Sequence, residues 1–355
     1  MTKSARYVFC EKGNLAFTAG IKAPADAFQI AVRNGFRPIA VGAFPQKDGD
    51  GFFRLALKAA CWRLAEEFHL RRFRRGDTVF LPAVPAFCCR RRGHVFLRRL
   101  AARGVEIVFL VHDIPALILP LGEARANALE DFLDLIRPFS RLIVPTAAMR
   151  RLLEDWGVAP EKMTELGIFD YLTSGDFAAA ELTEPPTICF AGSLERIKAG
   201  WIAAAAETPG ITWRFYGPHR EETLSANDAS FAGCFPPDEL PAHLKGSFGL
   251  VWDGDAVETC NGLWGEYERL NAPHKLSLYL AAGLPVIVWK GAALAEFVRS
   301  CGVGLTVAAL RDIPAAIAAF GPSGYNRLLS SVRAVGSELR AGKFLSTALM
   351  APNMI

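Results

Sequence analysis

Asn271-Ala-Pro-His-Lys275 stands where a polar, Gly-containing loop gives way to a helix, and its residue types define an anion site. Pro273 suits the first turn of a helix, where the N–H it lacks would find no partner anyway. Behind it, residues 275–282 carry apolar side chains all round until Gly283 ends the helix. Such a start favours an anion, because its backbone N–H groups are unpaired and the helix dipole points its positive end outward. Lys275 adds a full charge on the first turn, and a diphosphate fits there. On spacing alone, a solvated lysine beside a turn asparagine explains the same residues equally well.

The elements that must hold this site follow from the flanking pattern. Residues 248–252 form a short apolar run ending at Asp253, and residues 284–289 form another, so the stretch reads as strand, long loop, helix, strand. That crossover implies a parallel sheet, with ligands beyond the carboxyl ends of its strands. Upstream, strands are expected at 6–9, 38–42, 78–81, 106–111 and 142–144. Helices are expected at 24–34, 52–69, 90–103 and 122–136, with Thr146 capping one that runs to Trp156. Repeated βα units mean a doubly wound sheet. Around 167–186 the chain turns polar, acidic and proline-bearing, as a linker does, and residues 187–191 and 211–216 begin a second sheet. The expected division is a first Rossmann-like domain over 1–170, a second over 171–322, and a C-terminal helix and tail over 323–355 that crosses back to the first.

Composition narrows the classes. With 355 residues, 51% of them hydrophobic, the chain has material for two cores. The first residues lack the apolar core of a signal peptide, and no run of about 18 uncharged apolar residues exists to span a bilayer. A cytoplasmic protein is expected. None of the eight cysteines has CxxC spacing, and no His or Cys cluster has ligand spacing, so reduced thiols and no metal are expected. The net charge of +4 hides an asymmetry, because residues 54–103 hold thirteen basic side chains against three acidic ones, leaving −6 for the remainder. An anionic membrane surface and a plain set of solvated arginine helices account for that segment equally well. No nucleic-acid motif accompanies the charge. Self-association is left open.

The string NAPHKLSLYLAAGLPVIVW, preceded by VWDGD and GEYERL, resembles the donor-binding half of GT-B glycosyltransferases, in particular bacterial enzymes of the adhesin glucosyltransferase and β-1,6-galactofuranosyltransferase kind. The resemblance implies an α/β GT-B fold, two doubly wound Rossmann-like domains facing a cleft. It also implies transfer of a hexose from a nucleotide sugar, UDP by expectation, to a saccharide, glycolipid or glycoprotein acceptor, with no cofactor beyond that co-substrate. Carried over residue by residue, it points to Thr18 and Gly20 in the loop after the first strand, and to Arg196, Tyr216, Asn271, His274 and Lys275 as donor contacts. It does less for Glu296. One departure stands out: the two glutamates that many retaining members place eight positions apart are replaced here by Leu270 and Leu278. The usual ribose contact and retaining stereochemistry are therefore not implied.

Transfer needs the leaving diphosphate stabilised, which Lys275, Arg196 and the helix start supply without a metal. If the reaction inverts, a base must take the acceptor proton. Asp113 is expected in that role, with His112 and Asp26 behind it, because His112-Asp113 ends a buried strand at the reactive edge. A turn capped by Asp113 is the plainer alternative. Two other functions fit the same architecture, a non-catalytic sugar- or nucleotide-binding subunit and a nucleotide-sugar epimerase. Lys275, taken as an exposed helix-start residue, is expected to contribute little to stability, so that Lys275→Ala would leave the melting temperature nearly unchanged.

Overall fold

The computed structural model describes residues 4–11, 19–41, 67–68, 70–84, 91–175, 177, 180–205, 208–225 and 228–351. The helix expected over 52–69 falls almost wholly outside them. The described strands form two six-stranded sheets, parallel at every pairing. The first comprises β1 (Arg6–Glu11), β2 (Arg37–Val41), β3 (Thr78–Leu81), β4 (Glu106–Leu110), β5 (Arg141–Val144) and β6 (Met163–Glu165), in the order β2-β1-β3-β4-β5-β6. The second comprises β7 (Thr187–Ala191), β8 (Thr212–Tyr216), β9 (Phe231–Gly233), β10 (Phe248–Val251), β11 (Val286–Trp289) and β12 (Gly304–Val307), in the order β12-β11-β10-β7-β8-β9. Central strands such as β5, β10 and β11 are buried at every residue, because helices cover both faces of a parallel sheet. The strand order reverses between β7 and β10, and a crevice for ligands opens at such a switch point.

The helix His274–Ala281 that follows the long loop is held by contacts on three sides. Tyr279 lies against β10, where Gly249 makes room: a Cβ there would sit 2.2 Å from the Tyr279 ring. The Tyr279 hydroxyl accepts from the Ala191 N–H at the end of β7 (2.7 Å). Ser277 donates to the Phe169 carbonyl (2.6 Å), and Arg340 donates to the Ala281 carbonyl (2.7 Å) at the helix's far end. Pro273 is the residue before the helix rather than inside it, so the first turn starts at His274.

Two expectations are revised. The stretch read as a linker starts as core: Leu166, Ile168, Phe169, Tyr171 and Leu172 are buried in a cluster that includes residues of both sheets. The helix expected from Pro24 begins at Ala19, so Gly20 lies in its first turn and not in a loop; Pro24 forfeits a single backbone bond there. Thr146 caps the helix Ala147–Asp155 as expected, accepting from Met149 N–H (3.0 Å).

The last described helix packs on the first domain. The long helix Ile313–Ala341 breaks at Gly321-Pro322, where Gly321 has φ 60°, and lies across helix His274–Ala281. The last helix, Lys343–Met350, packs on the helix Ala19–Arg33, with Asn34 donating to Ser346 (2.9 Å) and Arg141 to the Leu349 carbonyl (3.1 Å). Among the described residues no helix is long and apolar enough to cross a membrane.

Candidate active site

Lys275 extends from the first turn of helix His274–Ala281 into the switch point. Its Nζ lies 2.6 Å from Asp253 Oδ1 and 4.9 Å from the centre of the Phe190 ring, and its Cδ would be 3.4 Å from a Cβ on Gly192. Residues from β7, β10 and the helix therefore meet at one ammonium. Burial works against the charge, but pairing with the Asp253 carboxylate holds the Lys275 pKa above its ordinary value. This overturns the expectation of a solvated lysine: the Lys275 side chain is 17% exposed and has a charged partner, because the loop after β10 turns Asp253 back toward the helix. Gly254 makes that turn at φ 125°, where a Cβ would lie 2.3 Å from Asn261 Oδ1.

The loop from Asp253 to Lys275 also reaches the first domain. Tyr267, 2% exposed, enters that domain's core, where its hydroxyl accepts from Ile114 N–H (3.1 Å), and burial together with the nearby Asp113 charge raises its pKa. Thr146 donates to the Leu270 carbonyl (2.5 Å). The adjacent Glu268 faces the other way, toward Asp253 and Lys275. Two consecutive residues thus join the edge of β4 to the edge of β10. Asp113 is exposed beyond β4, and its charge acts on the Tyr267 hydroxyl. His112, beside it, gives its Nε2 to the Pro82 carbonyl (2.6 Å) and stacks on Phe169 at 5.0 Å. Burial lowers its pKa, so the ring is neutral and its Nε2 is committed.

The other expected site residues divide sharply. Asn271 stands at the helix start with its Oδ1 buried and free of any partner among the described residues. Arg196 opens the helix Arg196–Ala199 and is exposed, its N–H donating to Glu222 (2.9 Å). Tyr216 ends β8 at 1% exposure; its hydroxyl accepts from Lys245 N–H (3.2 Å), and its ring is part of the core. His274 stacks on Tyr171 at 4.9 Å and donates from Nε2 to the Asp170 carbonyl (3.2 Å); burial pushes its pKa down to about 3, so it brings no charge to an anion. Asp26 is buried too, bonded to Lys22 (2.7 Å) and Leu172 N–H (2.9 Å), and pins the seam rather than facing the cleft. Glu296 forms a surface pair with Arg299 (2.7 Å). Thr18 lies outside the described residues, and nothing is described of Gly20 beyond its place in the first helical turn.

Residues 6–168 match the model of the glucosyltransferase 3-like N-terminal domain, and residues 188–352 match that of the C-terminal domain. The chain belongs to the glucosyltransferase 3-like family. This glucosyltransferase 3-like chain is 30% identical over 249 residues to the β-1,6-galactofuranosyltransferase WbbI of Escherichia coli (strain K12), covering 69% of this chain and 70% of that one. It is 29% identical over 278 residues to glucosyltransferase 3 of Streptococcus gordonii, 78% of each. Among solved structures, Anabaena HepE in complex with UDP and glucose matches with a TM-score of 0.56 at 12% identity, over 97% of this chain and 98% of that one. Likeness at that identity carries the fold alone, and the fold is GT-B. The family resemblance drawn from VWDGD and NAPHK holds, and the glucosyltransferase 3-like chain is a glycosyltransferase.

Asp253, Glu268 and Tyr267 had no part in the site expected from sequence. The signal for Asp253 was present, since it ends a buried strand at the switch point. Glu268 and Tyr267 sit in GEYERL, where nothing local separates a buried pair from a solvated helix end. Among the described residues no cluster of His, Cys, Asp or Glu has the geometry to hold a metal ion.

Proposed function

We propose that this glycosyltransferase moves a hexosyl group, of the glucose or galactofuranose type, from a uridine diphosphate sugar to a hydroxyl of a saccharide acceptor. The observation that carries this is the Lys275 ammonium on the first turn of an eight-residue helix at the β7/β10 switch point, beside the unpartnered Asn271 Oδ1. The diphosphate takes its place at this helix start, where the backbone N–H groups and Lys275 stabilise the charge that grows as the glycosidic bond breaks. Arg196, exposed above the same edge, reaches the phosphates from the opposite loop. Asp113 takes the acceptor proton, its carboxylate aimed by the Tyr267 hydroxyl. His112 packs behind it as a neutral ring. The exposed arginines at 71, 72, 74 and 75 hold the enzyme on an anionic membrane, near a lipid-linked acceptor.

A panel of nucleotide sugars tests the donor. The true donor at about a hundredfold its dissociation constant adds about 2.7 kcal/mol to the native state and raises the melting temperature. Incubation with and without a saccharide acceptor then reads the chemistry. Transfer only with acceptor supports the proposal. An isomerised sugar without acceptor identifies an epimerase, and stabilisation without turnover identifies a binding subunit. No stabilisation by any uridine diphosphate sugar defeats the donor assignment.

A further inference from the structure

Glu268 is 1% exposed, and neither of its carboxyl oxygens has a hydrogen-bond donor among the described residues. Its position is not loose. Its backbone N–H donates to the Trp264 and Gly265 carbonyls (3.2 Å each), and its own carbonyl accepts from Ala293 N–H (2.8 Å) in the loop after β11. The next residue, Arg269, lies over the Trp289 ring at 4.4 Å. So fixed, the carboxyl faces the Asp253 carboxylate, which already accepts from Lys275. Two carboxylates are acceptors only, and their contact becomes a hydrogen bond when one proton lies between them. An ionised Glu268 would be a buried charge with no donor, beside a second negative charge.

We propose that Glu268 is a positioning residue for the donor site: as a neutral acid it donates a hydrogen bond to Asp253, fixing the carboxylate that aims Lys275 and leaving the ammonium opposed by one negative charge rather than two. This rests on the donor reading given above and deepens it. With Glu268 neutral, Asp253 and Lys275 balance, and an incoming diphosphate competes with a single hydrogen-bonded carboxylate for the ammonium. With Glu268 ionised, the cluster is net negative and repels the diphosphate. The groups facing Glu268 are Asp253 beyond β10, Lys275 on helix His274–Ala281, and the buried Cys260 thiol in the intervening loop. Burial first, and then the Asp253 charge, holds the Glu268 proton far above the ordinary carboxylate range. Donor affinity is therefore lost as pH rises through that raised value.

The test is UDP affinity across neutral and alkaline pH for the parent, Glu268→Gln and Glu268→Ala, with infrared spectra of each protein without ligand. Glutamine keeps the shape and donates permanently to Asp253. Glu268→Gln is expected to bind within about threefold of the parent at neutral pH. The parent loses about tenfold in affinity relative to Glu268→Gln for each pH unit above the Glu268 value, the ratio cancelling the ionisation of UDP itself. Glu268→Ala, lacking the donor, binds about tenfold more weakly than Glu268→Gln at neutral pH. The parent spectrum carries a neutral-carboxyl C=O stretch that Glu268→Gln lacks. Parallel pH profiles for parent and Glu268→Gln, or no such band in the parent, overturn the proposal. If UDP fails to bind the parent, the donor assignment falls, and the band alone decides the state of Glu268.

Discussion

At the scale of single residues, Lys275 is where the pairing that holds the fold and the proposed donor chemistry meet. Its ammonium is paired with Asp253 inside the fold, so Lys275→Ala leaves a buried carboxylate without its cation. Removing one member of a buried pair costs about 3 kcal/mol, and losing a preorganised charge beside the diphosphate slows transfer by about a hundredfold or more. Adding Asp253→Asn to Lys275→Ala is expected to recover most of the stability in urea denaturation and none of the turnover. If the double variant is no more stable than the single one, the pair is not what the fold depends on. Tyr267→Phe removes the hydroxyl that accepts from Ile114 N–H and, in the proposed mechanism, aims Asp113. The expected cost is about 1 kcal/mol of stability, with a fall in kcat at nearly constant donor KM, because the base and not the diphosphate site loses its guide. An unchanged kcat would remove Tyr267 from the proposed role of aiming Asp113.

At the scale of elements, the start of the last helix carries a built-in pH dependence. Asp170 accepts from Phe344 N–H (3.2 Å) and Leu345 N–H (2.7 Å), closing the first turn of helix Lys343–Met350. Burial raises its pKa from 3.8 to about 7, with those hydrogen bonds opposing the shift. A carboxyl raised on folding contributes stability that is fully present below its unfolded value and is lost as pH rises through the folded one. Asp26 behaves alike, raised by burial to about 6, whereas His274, lowered to about 3, contributes stability that appears as pH rises toward 6.5. Asp170→Asn removes one of these titrations. Its destabilisation relative to the parent is expected to be largest near pH 4, to shrink as pH rises toward 7 and to level off above it. Urea midpoints over that range check it, and a pH-independent penalty would mean that Asp170 is ionised throughout.

At the scale of the whole molecule, the described part of the basic segment divides into paired arginines and an exposed set. Arg98 bonds Asp134 (2.5 Å), Arg99 bonds Glu67, and Arg103 donates to the Leu70 carbonyl (2.5 Å), while Arg71, Arg72, Arg74 and Arg75 are exposed together. Four arginines near an anionic surface contribute about 1 kcal/mol each at low salt, and the attraction weakens as the Debye length shrinks. Reversing all four to glutamate is expected to abolish sedimentation with acidic vesicles and to leave transfer to a soluble acceptor intact. If the parent itself stays in the supernatant at low salt, the face is only solvated.

What the sequence alone determined was local. A parallel, doubly wound architecture, a helix starting at Asn271 to Lys275, a Thr146 cap and reactive residues at strand ends each follow from patterns within a few positions, because strand alternation, helix caps and turns are set by near neighbours. What only the tertiary structure decided was pairing across the chain. Asp253 lies 22 positions from Lys275, and Tyr267 lies 153 from Ile114. No local pattern distinguishes GEYERL as a solvated helix end from the segment that sends one side chain into each domain. The same holds for Leu166, Ile168, Phe169, Tyr171 and Leu172, which are buried in a cluster shared by both sheets. Burial and charge pairing are properties of the packed seam: they decide that Lys275 is a held cation, His274 a neutral ring and Tyr216 a core residue.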